Sequence, residues 1–212
     1  MNEEILIPAG GVVLPGDLEV PDGARAIIVF AHGSGSSRLS TRNRFVASVL
    51  HGSGRFGTLL FDLLTPHEDV VYANRFDIGL LANRLEAATR DVLARPGSAG
   101  VPVGYFGAST GATAAIVAAA SMPEVVQTVV SRGGRPDLAG QALKDLRVPI
   151  LLIVGSLDHQ VIELNEQALA LIPVAEKRLE IVPGATHLFE EPGTLTQAAG
   201  LALAWFDRFL GK

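Results

Sequence analysis

Short, uniformly apolar runs separated by stretches of helical periodicity narrow the possible folds of this chain more than any other feature. Ala26–Phe30, Thr58–Phe61, Val103–Phe106, Thr128–Val130, Ile150–Val154 and Leu179–Val182 each read as a strand. Most are apolar at consecutive positions, the pattern of strands buried on both faces. Between them, apolar residues recur every three or four positions. Ile78, Leu81, Leu85, Ala88 and Val92 mark one face of a helix that starts near Asp77, a side chain suited to cap it. Gly97, after Pro96, is placed to terminate it. Phe45, Val46, Val49 and Leu50 predict a shorter helix ended by Gly52, and Leu201, Ala204, Trp205 and Leu210 a final one capped by Thr194. Strand-helix alternation of this kind predicts an α/β fold with a doubly wound, mostly parallel sheet. Ile5–Ile7 and Val12–Leu14, broken by Gly10-Gly11, predict an antiparallel hairpin at its edge. No repeat or low-complexity linker interrupts the sequence, and a single domain over 1–212 is the economical reading.

Composition excludes several functions. Only 18% of residues are charged, the formal charge is −5, and all but three positive side chains (Lys144, Lys177 and Lys212) are arginines. A nucleic-acid surface needs basic stripes, and none is present. The absence of cysteine removes a thiolate nucleophile, a disulfide framework and a thiolate zinc site. The acidic start, Met1-Asn2-Glu3-Glu4, lacks the positive segment of a signal peptide. The most apolar run, Ala112–Ala120, is too short to span a bilayer. A cytoplasmic protein that binds neither nucleic acid nor membrane is expected, as a monomer or as a homodimer joined through a sheet edge.

Open parallel sheets bind ligands at the carboxyl ends of their strands, and four such positions carry chemistry here. Gly107-Ala108-Ser109-Thr110-Gly111 follows the Val103–Phe106 strand and opens a helix of small residues. This is G-x-S-x-G in the strand-turn-helix context that makes the motif informative, with Ser109 as nucleophile; otherwise Ser109 simply caps the helix. Asp158 follows the Ile150–Val154 strand, where it either orients a histidine or caps the helix containing Leu164 and Leu169. His187 lies in the glycine-bearing loop after the Leu179–Val182 strand, placed to reach over the serine. His51 and His67 read as loop histidines, and His159 sits awkwardly beside Asp158. His32-Gly33-Ser34-Gly35 follows the Ala26–Phe30 strand. Its Ser34 amide and that of Thr110 are the expected oxyanion donors. A phosphate cradle is the rival reading of this loop, but neither Lys-Ser/Thr nor G-x-G-x-x-G fits. The order Ser…Asp…His, with every member after a strand, favours catalysis by Ser109, His187 and Asp158.

On the His32–Ser37 loop, the Gly107–Gly111 elbow, the Gly155–Asp158 turn and the Gly184–His187 loop, the chain resembles the α/β-hydrolase superfamily. Within it, the likeness is to the small dienelactone-hydrolase-like branch, and it covers nearly the whole chain. The resemblance implies a Ser/Cys-His-Asp triad, no metal, no organic cofactor and a small ester as substrate. Dienelactone hydrolases proper use cysteine, so a serine at 109 shifts expectation from dienelactone to other esters, thioesters or lactones. In some relatives of this type such a domain is joined to a phosphoribosyltransferase domain, and no such domain is legible in this sequence. Alternatives within the fold are peptidase or perhydrolase chemistry, and a catalytically silent copy used as a binding module.

The connection after Val130 is short and leaves no room for a sizeable lid. Arg132 and Arg135 are expected either to hold a substrate carboxylate or phosphate or to pair with Asp137 or Glu191. His32 is a further candidate for substrate contact. Arg38, Arg42 and Arg44 face the same choice between a substrate anion and a structural role, with a solvated helix face favoured.

Overall fold

The computed structural model describes residues 2–98 and 100–211. Eight strands form one sheet: β1 (Asn2–Ala9), β2 (Val12–Glu19), β3 (Ala26–Ala31), β4 (Phe56–Phe61), β5 (Val103–Ala108), β6 (Val126–Arg132), β7 (Ile150–Gly155) and β8 (Lys177–Val182). Their spatial order is β1-β2-β4-β3-β5-β6-β7-β8. The hairpin β1–β2 is antiparallel and joins β4 antiparallel, and every pairing from β4 to β8 is parallel. Strands β3, β4, β5 and β7 are buried at every position, as their unbroken apolar runs require. At the far edge, β8 is mostly half-exposed or exposed.

Helices cover both faces. On one, α3 (Ile78–Leu93) and α4 (Thr110–Ser121) pack Leu81, Leu85 and Ile116 against Ile27, Val29 and Tyr105. On the other, α1 (Thr41–Gly52) and α7 (Thr194–Leu210) bring Val46, Leu50 and Phe206 onto Ile28, Phe30 and Phe106. The alanine-rich sequence of α4 is buried almost throughout, its short side chains letting it lie close to the sheet and to α3. Two short helices, α2 (Pro66–Asp69) and α5 (Ala142–Asp145), and α6 (His159–Leu171) complete the set.

Asp77 caps α3 by accepting the Leu80 amide. Other boundaries differ from expectation. Gly52 lies within α1, and the left-handed residue that ends it is Gly54, at φ +70°. Helix α3 stops at Leu93, with Gly97 (φ +87°) in the turn beyond it. The α7 cap is Gly193, and the Thr194 hydroxyl donates back to the Glu191 carbonyl. His51 and His67 lie on α1 and α2, not in loops. The connection from β6 to β7 holds only a 3₁₀ turn (Pro136–Ala139) and α5, so no lid domain covers the carboxyl ends of the strands. A second irregular stretch was not foreseen: α2 and a 3₁₀ turn (Tyr72–Phe76) precede α3.

Candidate active site

Ser109 occupies the bend between β5 and α4 at φ +52°, ψ −123°, a conformation costly for any residue with a Cβ. Its side chain makes no capping bond to α4, so the helix-cap alternative does not describe it. The bend is held from both sides: the Ser109 amide donates to the Arg132 carbonyl at 3.1 Å, and the Ala112 amide to the Ser109 carbonyl at 3.0 Å. Gly111 presses against the carbonyls of Ala31 and His32 so closely that no side chain fits there. That contact locks the elbow to the loop after β3.

Asp158 stands at the N-cap of α6 but gives no side-chain bond to the helix. Its Oδ2 instead accepts from His187 Nδ1 at 2.6 Å. Leu157 and Ser156 donate their amides to Ala185 and Val182, binding the Asp158 turn to the His187 loop. His187 and Ser109 line one cavity of about 240 Å³ together with Ser34 and Arg132. They also line a wider, open cleft whose apolar wall is Phe76, Ile78, Leu138 and Val161. His159, on the exposed first turn of α6, is not among the residues that line either space.

The loop after β3 departs from expectation. The Ser34 amide is not free; it donates to Thr110 Oγ1 at 2.9 Å. That hydroxyl, acting as acceptor, keeps its own proton for a further bond. His32 faces inward. Its Nε2 accepts the Leu63 amide at 3.0 Å, which leaves the proton on Nδ1 to donate to the Gly33 carbonyl at 2.9 Å. Both ring nitrogens are thus used to shape the loop, and burial lowers the imidazole's proton affinity below its ordinary value.

The arginines separate. Arg135 makes a two-pronged bond to Asp137, at 2.9 and 2.8 Å, at the rim of the cleft. Arg38 is tied to Asp62, Asp17 and Glu4, and Arg44 to Asp17. Arg132 pairs with neither Asp137 nor Glu191, whose carboxylate is taken by Thr186. It lies buried over the ring of Phe189, its Cζ 5.6 Å from the ring centre. Arg42, expected on a solvated helix face, lines the same cavity. Sequence reasoning weighed an anion contact for Arg42 but favoured solvent, and it missed Phe189, which holds a φ of +55°. The run Ser40-Thr41-Arg42 at a helix start was the available signal for Arg42. Among the described residues, no group of three or more His, Asp or Glu side chains is arranged to hold a metal ion, and no helix is long and apolar enough to cross a membrane.

Comparison with known proteins places the chain in a family. The model of the dienelactone hydrolase family matches residues 69–209. A dienelactone hydrolase from Anabaena variabilis is 53% identical, with a TM-score of 0.94 over 99% of this chain and 98% of its own. A lidless α/β serine hydrolase from Xanthomonas campestris shares the fold at 20% identity, with a TM-score of 0.77 over 98% of this chain and 94% of its own. Two curated Mycobacterium tuberculosis proteins, provisionally named phosphoribosyl transferases, are 60% identical over 97% of this chain. The chain spans about half (46%) of their length. The fold is that of the α/β-hydrolases, and the chain belongs to the dienelactone hydrolase family.

Proposed function

We propose that this protein hydrolyses small carboxylic esters through an acyl-enzyme on Ser109. One observation carries the reading. Ser109, strained and unused as a cap, shares a cavity with His187, whose Nδ1 is held by Asp158. In this mechanism the Ser109 hydroxyl loses its proton to His187 Nε2 as its oxygen attacks the carbonyl carbon. Asp158 keeps the proton of the resting imidazole on Nδ1 and stabilises the imidazolium once formed. The oxyanion of the tetrahedral intermediate receives the Thr110 amide, at the start of α4, and the Thr110 hydroxyl, which the Ser34 amide polarises. His187 then passes its proton to the departing alcohol, and water repeats the sequence to release the acid.

The apolar wall of the cleft supports one short hydrocarbon arm of the ester, and the open mouth favours small substrates. Thioesters and lactones fit the same chemistry. The transferase name of the mycobacterial relatives belongs to proteins of which this chain spans about half, and no step of phosphoribosyl transfer is drawn from the site.

Labelling with a fluorophosphonate, followed by intact mass and peptide mapping, tests the proposal without a substrate guess. A single adduct on Ser109, absent in Ser109→Ala, is expected. No adduct on folded protein would overturn the reading in favour of a binding module.

A further inference from the structure

The hydrolytic mechanism leaves Arg132 unexplained. The residue is only 7% exposed, yet among the described residues no carboxylate forms an ion pair with it. Nε and Nη1 are buried without a hydrogen-bond partner. Nη2 reaches Asn43 Oδ1 at 3.4 Å, a long and neutral contact. Beneath it is the Phe189 ring. Arg42, a charge of the same sign, acts on Arg132, and the carboxylate that Arg42 pairs with, Glu190, is 3.1 Å from Arg42 and exposed. Burial, and then Arg42, lower the proton affinity of Arg132 to about 10. An unpaired buried cation is costly to a folded protein, so a site that keeps one is incomplete without an anion.

A second feature converges on the same space. Ser40, Arg42 and Asn43, at the start of α1, line the cavity with Arg132 and Ser109. The first turn of α1 contains no acidic residue. The amides of a first helical turn lack intrahelical partners and carry the positive end of the helix dipole. Ser40 Oγ already accepts the Asn43 amide, so its proton is available to donate, and Ser36 adds a second hydroxyl. A carboxylate offers two oxygens in one plane. Here two arginines, two serines and a helix terminus line one cavity, a set of donors that suits the three outer oxygens of a phosphate monoester.

We infer that the Arg132–Arg42 cavity at the start of α1 binds a phosphate monoester group, so that the substrate is a small ester carrying a phosphate. The inference rests on the proposed hydrolase reading. Because the Ser109 amide bonds the Arg132 carbonyl, the two residues are adjacent across the sheet, and a short spacer links phosphate and scissile carbonyl.

The test uses n-propyl phosphate as probe, with butanoate as its carboxylate counterpart. Binding is measured by titration calorimetry, and inhibition against 4-nitrophenyl acetate, on the intact protein. Propyl phosphate is expected to compete with the ester and to bind at least about tenfold more tightly than butanoate. Its affinity should rise with pH through the second phosphate ionisation near pH 6, where butanoate shows no such change. Arg132→Met should weaken phosphate binding about thirtyfold or more, and the more exposed Arg42→Gln about fivefold, each read by calorimetry. The second variant carries the test if loss of Arg132 prevents folding. Absence of phosphate binding, an equal or greater affinity for butanoate, or undiminished binding in Arg42→Gln would overturn the inference. Fluorophosphonate labelling of Ser109 reports separately whether the hydrolase reading stands.

Discussion

Asp158 sits where a helix cap belongs, yet its carboxylate is 2.6 Å from His187 Nδ1 and leaves the amides of α6 unserved. A capping aspartate contributes about 1 kcal/mol to stability, so its diversion to an imidazole is a structural cost borne for the site. Replacing it with asparagine should barely change stability. The amide can donate to Nδ1 and so stabilise the wrong tautomer. Turnover of a chromogenic ester is expected to drop about 10³- to 10⁴-fold in Asp158→Asn, with an unchanged urea midpoint.

Thr110 is expected to act through its hydroxyl as well as its amide. Thr110→Val removes the acceptor of the Ser34 N–H and the proton offered to the oxyanion. A loss in kcat of about 10²-fold is expected, with KM little altered. Thr110→Ser should stay within a few fold of the parent. Equal rates in the valine and serine variants would show that the hydroxyl takes no part.

His32 makes the loop after β3 sensitive to acid. The unfolded chain takes up a proton near the ordinary value of 6.5, whereas the folded ring, desolvated by burial, does so only at lower pH. Protons therefore favour the unfolded chain. Its contribution to stability is complete above pH 6.5 and declines as pH falls from there towards the folded value. Denaturation followed between pH 7.5 and 5 should show this slope, and His32→Gln should flatten it. Some slope should persist from His51, which burial also lowers despite the neighbouring Glu19.

Two glycines near the serine should fail differently. A methyl group at Gly111 would strike the carbonyls of Ala31 and His32, and Gly111→Ala should cost about 3 kcal/mol in chemical denaturation. At Gly33 the added carbon would lie 3.1 Å from Ser109 Cβ and 3.3 Å from the Ala108 carbonyl oxygen. Relief there requires only a small shift of Ser109. Gly33→Ala is expected to remain folded while losing most of its reactivity towards fluorophosphonate.

Glu68 secures the stretch that brings Phe76 to the cleft. Its carboxylate completes the capping box of α2 with Thr65 and meets Arg84 of α3 at 2.7 Å, with the arginine side chain 7% exposed. Glu68→Ala strands a buried guanidinium and should destabilise the protein by about 3 kcal/mol. Early proteolysis within residues 66–76 of this variant would locate the damage.

The parallel sheet and the positions of Ser109, Asp158 and His187 were legible because both leave marks along the chain. Buried strands write unbroken apolar runs, and their carboxyl ends locate the residues that share one side. What escaped was decided by contacts between distant segments. Ser34 and Thr110 are remote in sequence, and nothing local to either shows that one hydroxyl takes up the other's amide. Arg135 and Arg132 look equivalent in the run Ser131–Asp137. One finds Asp137 two residues away, while the other is buried against Asn43 and Phe189, under the influence of Arg42. The misplaced helix ends have a simpler cause. Gly52 and Gly54 are both plausible stops, and only φ distinguishes them.

The order in which these loops leave the ribosome has a consequence of its own. Ser109 is made with β5, but His187 arrives only after β8, a half-exposed strand at the sheet's edge whose pairing with β7 is the last in the row. A chain whose edge strand has frayed can therefore keep most of its core buried and its serine at the elbow while His187 is out of place. Reactivity then reports the seating of one peripheral strand more sensitively than it reports compaction, so an activity-based probe would count finished molecules where a spectroscopic one would also count nearly finished ones.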